Sequence, residues 1–189
     1  SSNEDAIPLV MTHGWPGSIT EFTKIIPMLT EPQDYGGNAS DAFHLICPSI
    51  PGYGFSDAPT EPGFDQMRVA EGHVALMQAL GYEHYGVQGG DWGSPISSWT
   101  ARLSPEAVLG LHLTLVFAGF PKNKDNPFEG VSEAERAKLD ARRGAMNKGT
   151  GYQSIQGTKP QTLGYGLNDS PAGLAGWITE KFHAWTHCD

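Results

Sequence analysis

A chain of 189 residues with 39% hydrophobic residues is long enough for a sizeable core and too apolar for a disordered polypeptide. A formal net charge of -9 at pH 7 disfavours nucleic acid and anionic membrane surfaces as partners. Two cysteines, Cys47 and Cys188, form neither a disulfide framework nor a metal-ligand spacing, so no metal is expected and a reducing, cytoplasmic compartment is the default. No apolar run reaches the length of a membrane span, and no signal peptide is visible. The chain opens on Ser1 rather than Met and stops at Asp189, soon after an apolar helical pattern ends. Both are expected of a piece of something longer, and an anchor on a longer parent stays open.

The elements follow in order. Ile7 to Met11 is a continuous apolar run, expected as a strand buried on both faces. Thr12 to Ser18 holds Gly14, Pro16 and Gly17 and reads as a tight loop. Ser18-Ile19-Thr20-Glu21 matches a capping box, and Phe22, Ile25, Ile26 and Leu29 mark one apolar helical face after it. Glu31 to Asp41 is a surface loop. Phe43 to Cys47 is the next strand, with Cys47 as a buried thiol. Pro48 to Asp57 is a rigid loop. Its Gly52-Tyr53-Gly54 lacks the third glycine and the following helix of a dinucleotide site. Phe64 to Leu80 has a helical pattern, with Met67, Ala70, Val74 and Met77 on one side and Gly81 as its stop. A short strand from Tyr85 follows.

Val108 to Val116 is strand-like, with His112 inside it as a buried residue. From Phe120 the composition changes, and Lys122 to Pro127 is polar. Ser132 and Glu135 open a helix to about Asn147 through a second capping box. Gly149 to Gly157 reads as a loop holding Tyr152. Ser170-Pro171 caps a last helix whose stripe of Leu174, Trp177, Ile178, Phe182 and Trp185 reads as core packing. Alternating strands and helices up to Val116 imply an α/β fold with a parallel sheet. Residues 1–117 are expected to form a core portion and residues 118–189 an incomplete helical lid.

The stretch Gly89-Gly90-Asp91-Trp92-Gly93 carries the chemistry. A strand runs into two glycines, then a carboxylate, then a third glycine and a helix-compatible segment. That is the layout of a nucleophile elbow, whose apex sits on a strained turn between small neighbours. The usual apex residue is serine; here it is Asp91.

Taken with His13-Gly14-Trp15-Pro16, Pro51 to Asp57, Gly151-Tyr152, Thr158-Lys159-Pro160 and Leu167 to Pro171, this order of motifs resembles the epoxide hydrolases of the α/β-hydrolase fold. The resemblance is to the microsomal-type branch and runs from Leu9 to Trp185. It implies a partial α/β-hydrolase fold, a mostly parallel sheet flanked by helices, with the start of a helical lid. It implies Asp91 as nucleophile and Tyr152 as one of two lid tyrosines that hydrogen-bond the epoxide oxygen. The backbone N–H groups of Trp15 and Trp92 would form the oxyanion hole, with both indoles as pocket walls. The implied partners are a small epoxide and water, with no cofactor. The family's acid, catalytic histidine and second lid tyrosine have no counterpart in these 189 residues, nor do its first strands. None of the seven histidines is assigned as the base, and His13 is expected to hold the oxyanion loop.

The chemistry is consistent with an aspartate. A free Asp, with a pKa of about 4, is an ionised nucleophile at neutral pH without a base. Ring opening also needs a donor to the departing oxygen, and the resulting ester needs amide donors and a general base for its hydrolysis. The chain alone is therefore expected to be alkylated without sustained turnover. A haloalkane dehalogenase would share the Asp nucleophile, with the Trp92 indole as halide donor. A non-catalytic remnant is the alternative from another class.

Overall fold

The computed structural model describes residues 1–116, 123 and 125–187, and residues 143–148 through their backbone alone. Cys188, Phe120 and Lys122 lie outside the described residues. The chain divides into two compact units, Ser1–Ala118 and Gly119–Asp189.

The first unit is built on four strands: β1 (Ile7–Thr12), β2 (Phe43–Ile46), β3 (Tyr85–Gly89) and β4 (Val108–Leu113). Their order in the sheet is β2-β1-β3-β4, and every pair is parallel. Parallel neighbours require long crossovers. Here α1 (Ile25–Thr30) precedes β2, α2 (Gln66–Ala79) links β2 to β3, and α3 (Gly93–Leu103) links β3 to β4. One core cluster joins Val10, Met77, Tyr85 and Val87. A second joins Ile50, Val69, Ala70 and Ile96 where α2 meets α3. No helix among the described residues is long and apolar enough to cross a membrane.

Several expectations are corrected. β1 is buried only in its second half, at Val10, Met11 and Thr12, while Ile7 is exposed. The helix expected after Ser18 is split into a 3-10 turn, Ile19–Phe22, and the short α1. Pro27 explains the split: lacking an N–H and clashing with the carbonyl four residues back, it is tolerated only in the first turn, where it sits. The Ser18 hydroxyl accepts from the Thr20 amide at 3.2 Å, so Ser18 and Glu21 make no capping box.

On α2 the buried residues are Val69, Ala70, His73 and Met77, and Met67 is exposed. The inward face is thus rotated from the one expected, and a histidine completes it. Asp65 caps the helix by accepting from the Arg68 amide, and Gly81 ends it at φ 80. Cys47 is half-buried rather than enclosed, and burial raises its thiol pKa. His112 is exposed, because β4 lies at the edge of the described sheet and its middle residues face solvent.

The second unit holds α4 (Glu133–Gly149), α5 (Gly151–Thr158), α6 (Pro160–Asp169) and α7 (Pro171–Trp185). The Ser132–Glu135 capping box forms in both directions, and Ser170 caps α7 through the Gly173 amide. Tyr152 lies in the first turn of α5, not in a loop, since the glycines at 149 and 151 fall at the junction of two helices. The apolar stripe of α7 is not a closed core either. Leu174, Phe182 and Trp185 are exposed, and the buried residue of that helix is Lys181.

Two stability tests follow from the first unit. Burial depresses the His73 pKa from 6.5 to about 4. The unfolded chain therefore binds the extra proton first, and this contribution is full above pH 6.5 and lost as pH falls toward 4. It amounts to about 3 kcal/mol, and denaturant melts across that window should show a flatter pH dependence in His73→Met than in the parent chain. Glycines give the second test. A Cβ on Gly93 would overlap the Thr12 carbonyl, whereas Gly72, exposed in the middle of α2, has open space around it. Gly93→Ala should cost about 1–3 kcal/mol and Gly72→Ala should gain about 0.5–1 kcal/mol in the same melts.

Candidate active site

The strand order reverses direction between β1 and β3. From β1 the chain moves outward to β2, and from β3 it moves outward to β4 on the other side. At such a point the loops leaving the two strands diverge and leave a crevice at their C-terminal ends. Thr12 pairs with Gly89, the last residues of the two strands. The His13–Gly17 loop and the Gly90–Trp92 turn therefore start side by side, although 76 residues separate Trp15 from Asp91.

Asp91 sits at the apex with φ 46, the sole positive-φ residue other than glycine among the described residues. Left-handed backbone costs a side-chain-bearing residue about 1–2 kcal/mol, and Asp tolerates it better than most. The turn is clamped around it. The Gly89 carbonyl accepts from the Thr114 amide at 3.1 Å and the Ser94 hydroxyl at 3.0 Å. The Gln88 carbonyl accepts from the Ser97 hydroxyl at 3.0 Å, and the Asp91 carbonyl accepts from the Ser94 amide at 3.0 Å. The tightness explains the glycines. A Cβ on Gly89 would meet the Gly93 carbonyl, one on Gly90 the Thr114 hydroxyl, and one on Gly14 the Asp91 side chain itself.

The Asp91 carboxylate faces the first loop. Its Oδ1 accepts the Trp15 backbone N–H at 2.8 Å. His13, 1% exposed, holds that loop in place. Its Nε2 accepts from the Ile50 amide at 3.1 Å, which leaves the proton on Nδ1, 3.2 Å from the Gly14 carbonyl that accepts it. Both ring nitrogens are thus engaged with backbone, and His13 has no lone pair left to act as a base. The Tyr53 ring packs edge-on against the imidazole at 5.2 Å. Tyr53 is therefore a packing residue of the Pro48–Asp57 loop. Burial raises its phenol pKa, and the nearby Asp91 charge adds to the rise.

One neighbour was not foreseen. Glu21 is exposed as a residue but turns its carboxylate to the loop, where a Cβ on Gly17 would meet its Oε1 at 2.5 Å. Burial raises its carboxyl pKa, the Gly14 backbone amide opposes that by donating to it, and Asp91 adds a repulsion. The signal for this approach in the sequence is the glycine at 17, four residues before Glu21.

Of the other assigned residues, Trp92 follows Asp91 directly and stands at the start of α3, with its residue 47% exposed. Trp15 is half-buried. Tyr152 belongs to the second unit. Its ring packs edge-on against Trp185 at 5.6 Å, and its hydroxyl accepts from the Gln153 side chain at 3.1 Å.

Comparison with known proteins agrees with this fold. The family described as the alpha/beta hydrolase fold matches residues 7–137. A protein of Stigmatella aurantiaca, named provisionally as an epoxide hydrolase, is 47% identical over 98% of this chain and 42% of its own length. Epoxide hydrolase 1 of Sus scrofa is 43% identical over 98% of this chain and 43% of its own length. The crystal structure of juvenile hormone epoxide hydrolase from the silkworm Bombyx mori superposes with a TM-score of 0.74 at 40% identity, covering 96% of this chain and 40% of that one. The chain thus spans about two fifths of the length of the relatives it matches. With a parallel sheet, an aspartate-bearing elbow and a family match over most of its length, the chain belongs to the alpha/beta hydrolase fold family and, within it, is similar to the epoxide hydrolases.

Proposed function

We propose that the protein hydrolyses a small epoxide to a vicinal diol through a covalent ester on Asp91. The observation that supports this most directly is an aspartate at the elbow apex with a backbone amide 2.8 Å from its carboxylate. An aspartate there cannot act as a serine does. A carboxylate attacks saturated carbon as an anion and needs no base to deprotonate it first.

In the first step a carboxylate oxygen of Asp91 bonds to one epoxide carbon. The C–O bond to the ring oxygen breaks, and that oxygen takes the bonding pair and the proton of the Tyr152 hydroxyl. The product is a hydroxyalkyl ester. In the second step water adds to the ester carbonyl of Asp91, and the negative charge falls on its oxygen. The Trp15 amide lies where that charge develops, and the Trp92 amide at the start of α3 is assigned beside it. Collapse releases the diol and returns the carboxylate, and the proton freed by hydrolysis restores Tyr152. The water needs a general base. His13 is not that base, because both of its nitrogens are bonded to backbone. The base, its partner acid and a second lid tyrosine are assigned outside these 189 residues, and residues 118–189 are assigned to the lid.

Isotope transfer tests the ester. In a single turnover of the full-length protein in 18O-water, the label should enter Asp91 and the first diol should carry none. Asp91→Asn should lower kcat by a factor on the order of 10⁴. Label in the first diol would mean direct attack by water and would exclude the covalent route.

A further inference from the structure

Lys181 is 6% exposed, and lysine is almost never enclosed unless something compensates its charge. Its nearest partner is Glu180 at 2.7 Å, but the Glu180 side chain is 60% exposed and adjacent in sequence. An ion pair with an exposed neighbour can form in water, so it does not account for the burial. The remaining neighbours do. The ammonium donates to the Gly149 carbonyl at 3.3 Å, at the C-terminal end of α4, where a helix favours cations. It also lies 4.8 Å from the centroid of the Tyr152 ring and 5.9 Å from that of Trp185. Tyr152 and Trp185 pack edge-on at 5.6 Å, so the three side chains form one cluster joining α5 and α7.

A cation over an aromatic face interacts with the ring electrons. The attraction grows when the ring gains charge, as a phenol does while it gives up its proton. Fixed charges aimed at the place where charge develops lower a barrier without reorganising. We propose that Lys181 is a positioning residue for Tyr152: its enclosed ammonium fixes the phenol ring against Trp185 and stabilises the negative charge that the phenol oxygen gains as its proton passes to the opening epoxide. This rests on the assignment of Tyr152 as that donor. The step makes and breaks no bond of Lys181.

A double-mutant cycle in the full-length protein tests it, reading the rate of ester formation on Asp91 by rapid quench and mass spectrometry with styrene oxide. Lys181→Gln keeps a donor for the Gly149 carbonyl and loses the charge. It should slow ester formation by about 10-fold in the Tyr152 background, with Lys181→Arg recovering most of the loss. In the Tyr152→Phe background the same change should cost nothing further. An equal loss in both backgrounds would make Lys181 merely a structural tie between helices and overturn the proposal. An unchanged rate in Lys181→Gln, with Tyr152→Phe slow, would overturn the role of Lys181 alone. An unchanged rate in Tyr152→Phe would remove the assignment of Tyr152 and the role of Lys181 with it. If Lys181→Gln does not fold, Lys181→Arg decides: a rate within about 3-fold of the parent supports the role of the charge, and a larger loss overturns it.

Discussion

The site depends on one pairing, that of β1 with β3. Parallel strands place their C-terminal ends together, and Thr12 opposite Gly89 sets two loops against each other at the point where the strand order reverses. Everything at Asp91 follows from how closely these loops approach. Gly14 has no side chain because the Asp91 carboxylate occupies that space, and Gly93 has none because the Thr12 carbonyl does. Small residues on both sides let a backbone amide reach the carboxylate directly. A slip of register would break this contact and the core together, because Val10 and Val87 belong to the same two strands.

The electrostatics of the site are built from amides and not from cations. With a net charge of -9, the chain places no lysine or arginine in hydrogen-bonding contact with Asp91 among the described residues. A full positive charge would hold the carboxylate strongly and blunt it as a nucleophile. An amide holds it more weakly and is equally suited to an oxyanion on the same atom. Glu21 and Tyr53 both sense the Asp91 charge, and both have their pKa raised chiefly by burial. The surroundings of the apex are thus partly shielded from water, which strengthens each dipole aimed at it.

The second unit follows a different logic. Its helices are well capped at Ser132 and Ser170, yet several large apolar side chains of α7 face outward. Local signals form its helices, while the most enclosed side chain among its described residues is a charged one. Such a unit is ordered by caps and by a small aromatic and cationic cluster more than by a broad apolar core.

Much of this was legible in the sequence. The elbow could be read because its glycines, its apex and the following helix are adjacent, and steric need is local there. The α/β alternation, the caps at Ser132 and Ser170, and the helix stop at Gly81 were also determined by short-range chemistry, while the Asp65 cap of α2 emerged from the structure. The loop-holding role of His13 followed from its motif. What the sequence left undecided depends on partners far along the chain. Only the sheet order decides that β4 is an edge of the described sheet and that His112 is exposed there. Only packing against the neighbouring elements selects His73 over Met67 for the inner face of α2, since a helical period fits either rotation. Lys181 reaches the Tyr152 ring because folding brings α5 and α7 together, and no spacing along the chain encodes that meeting.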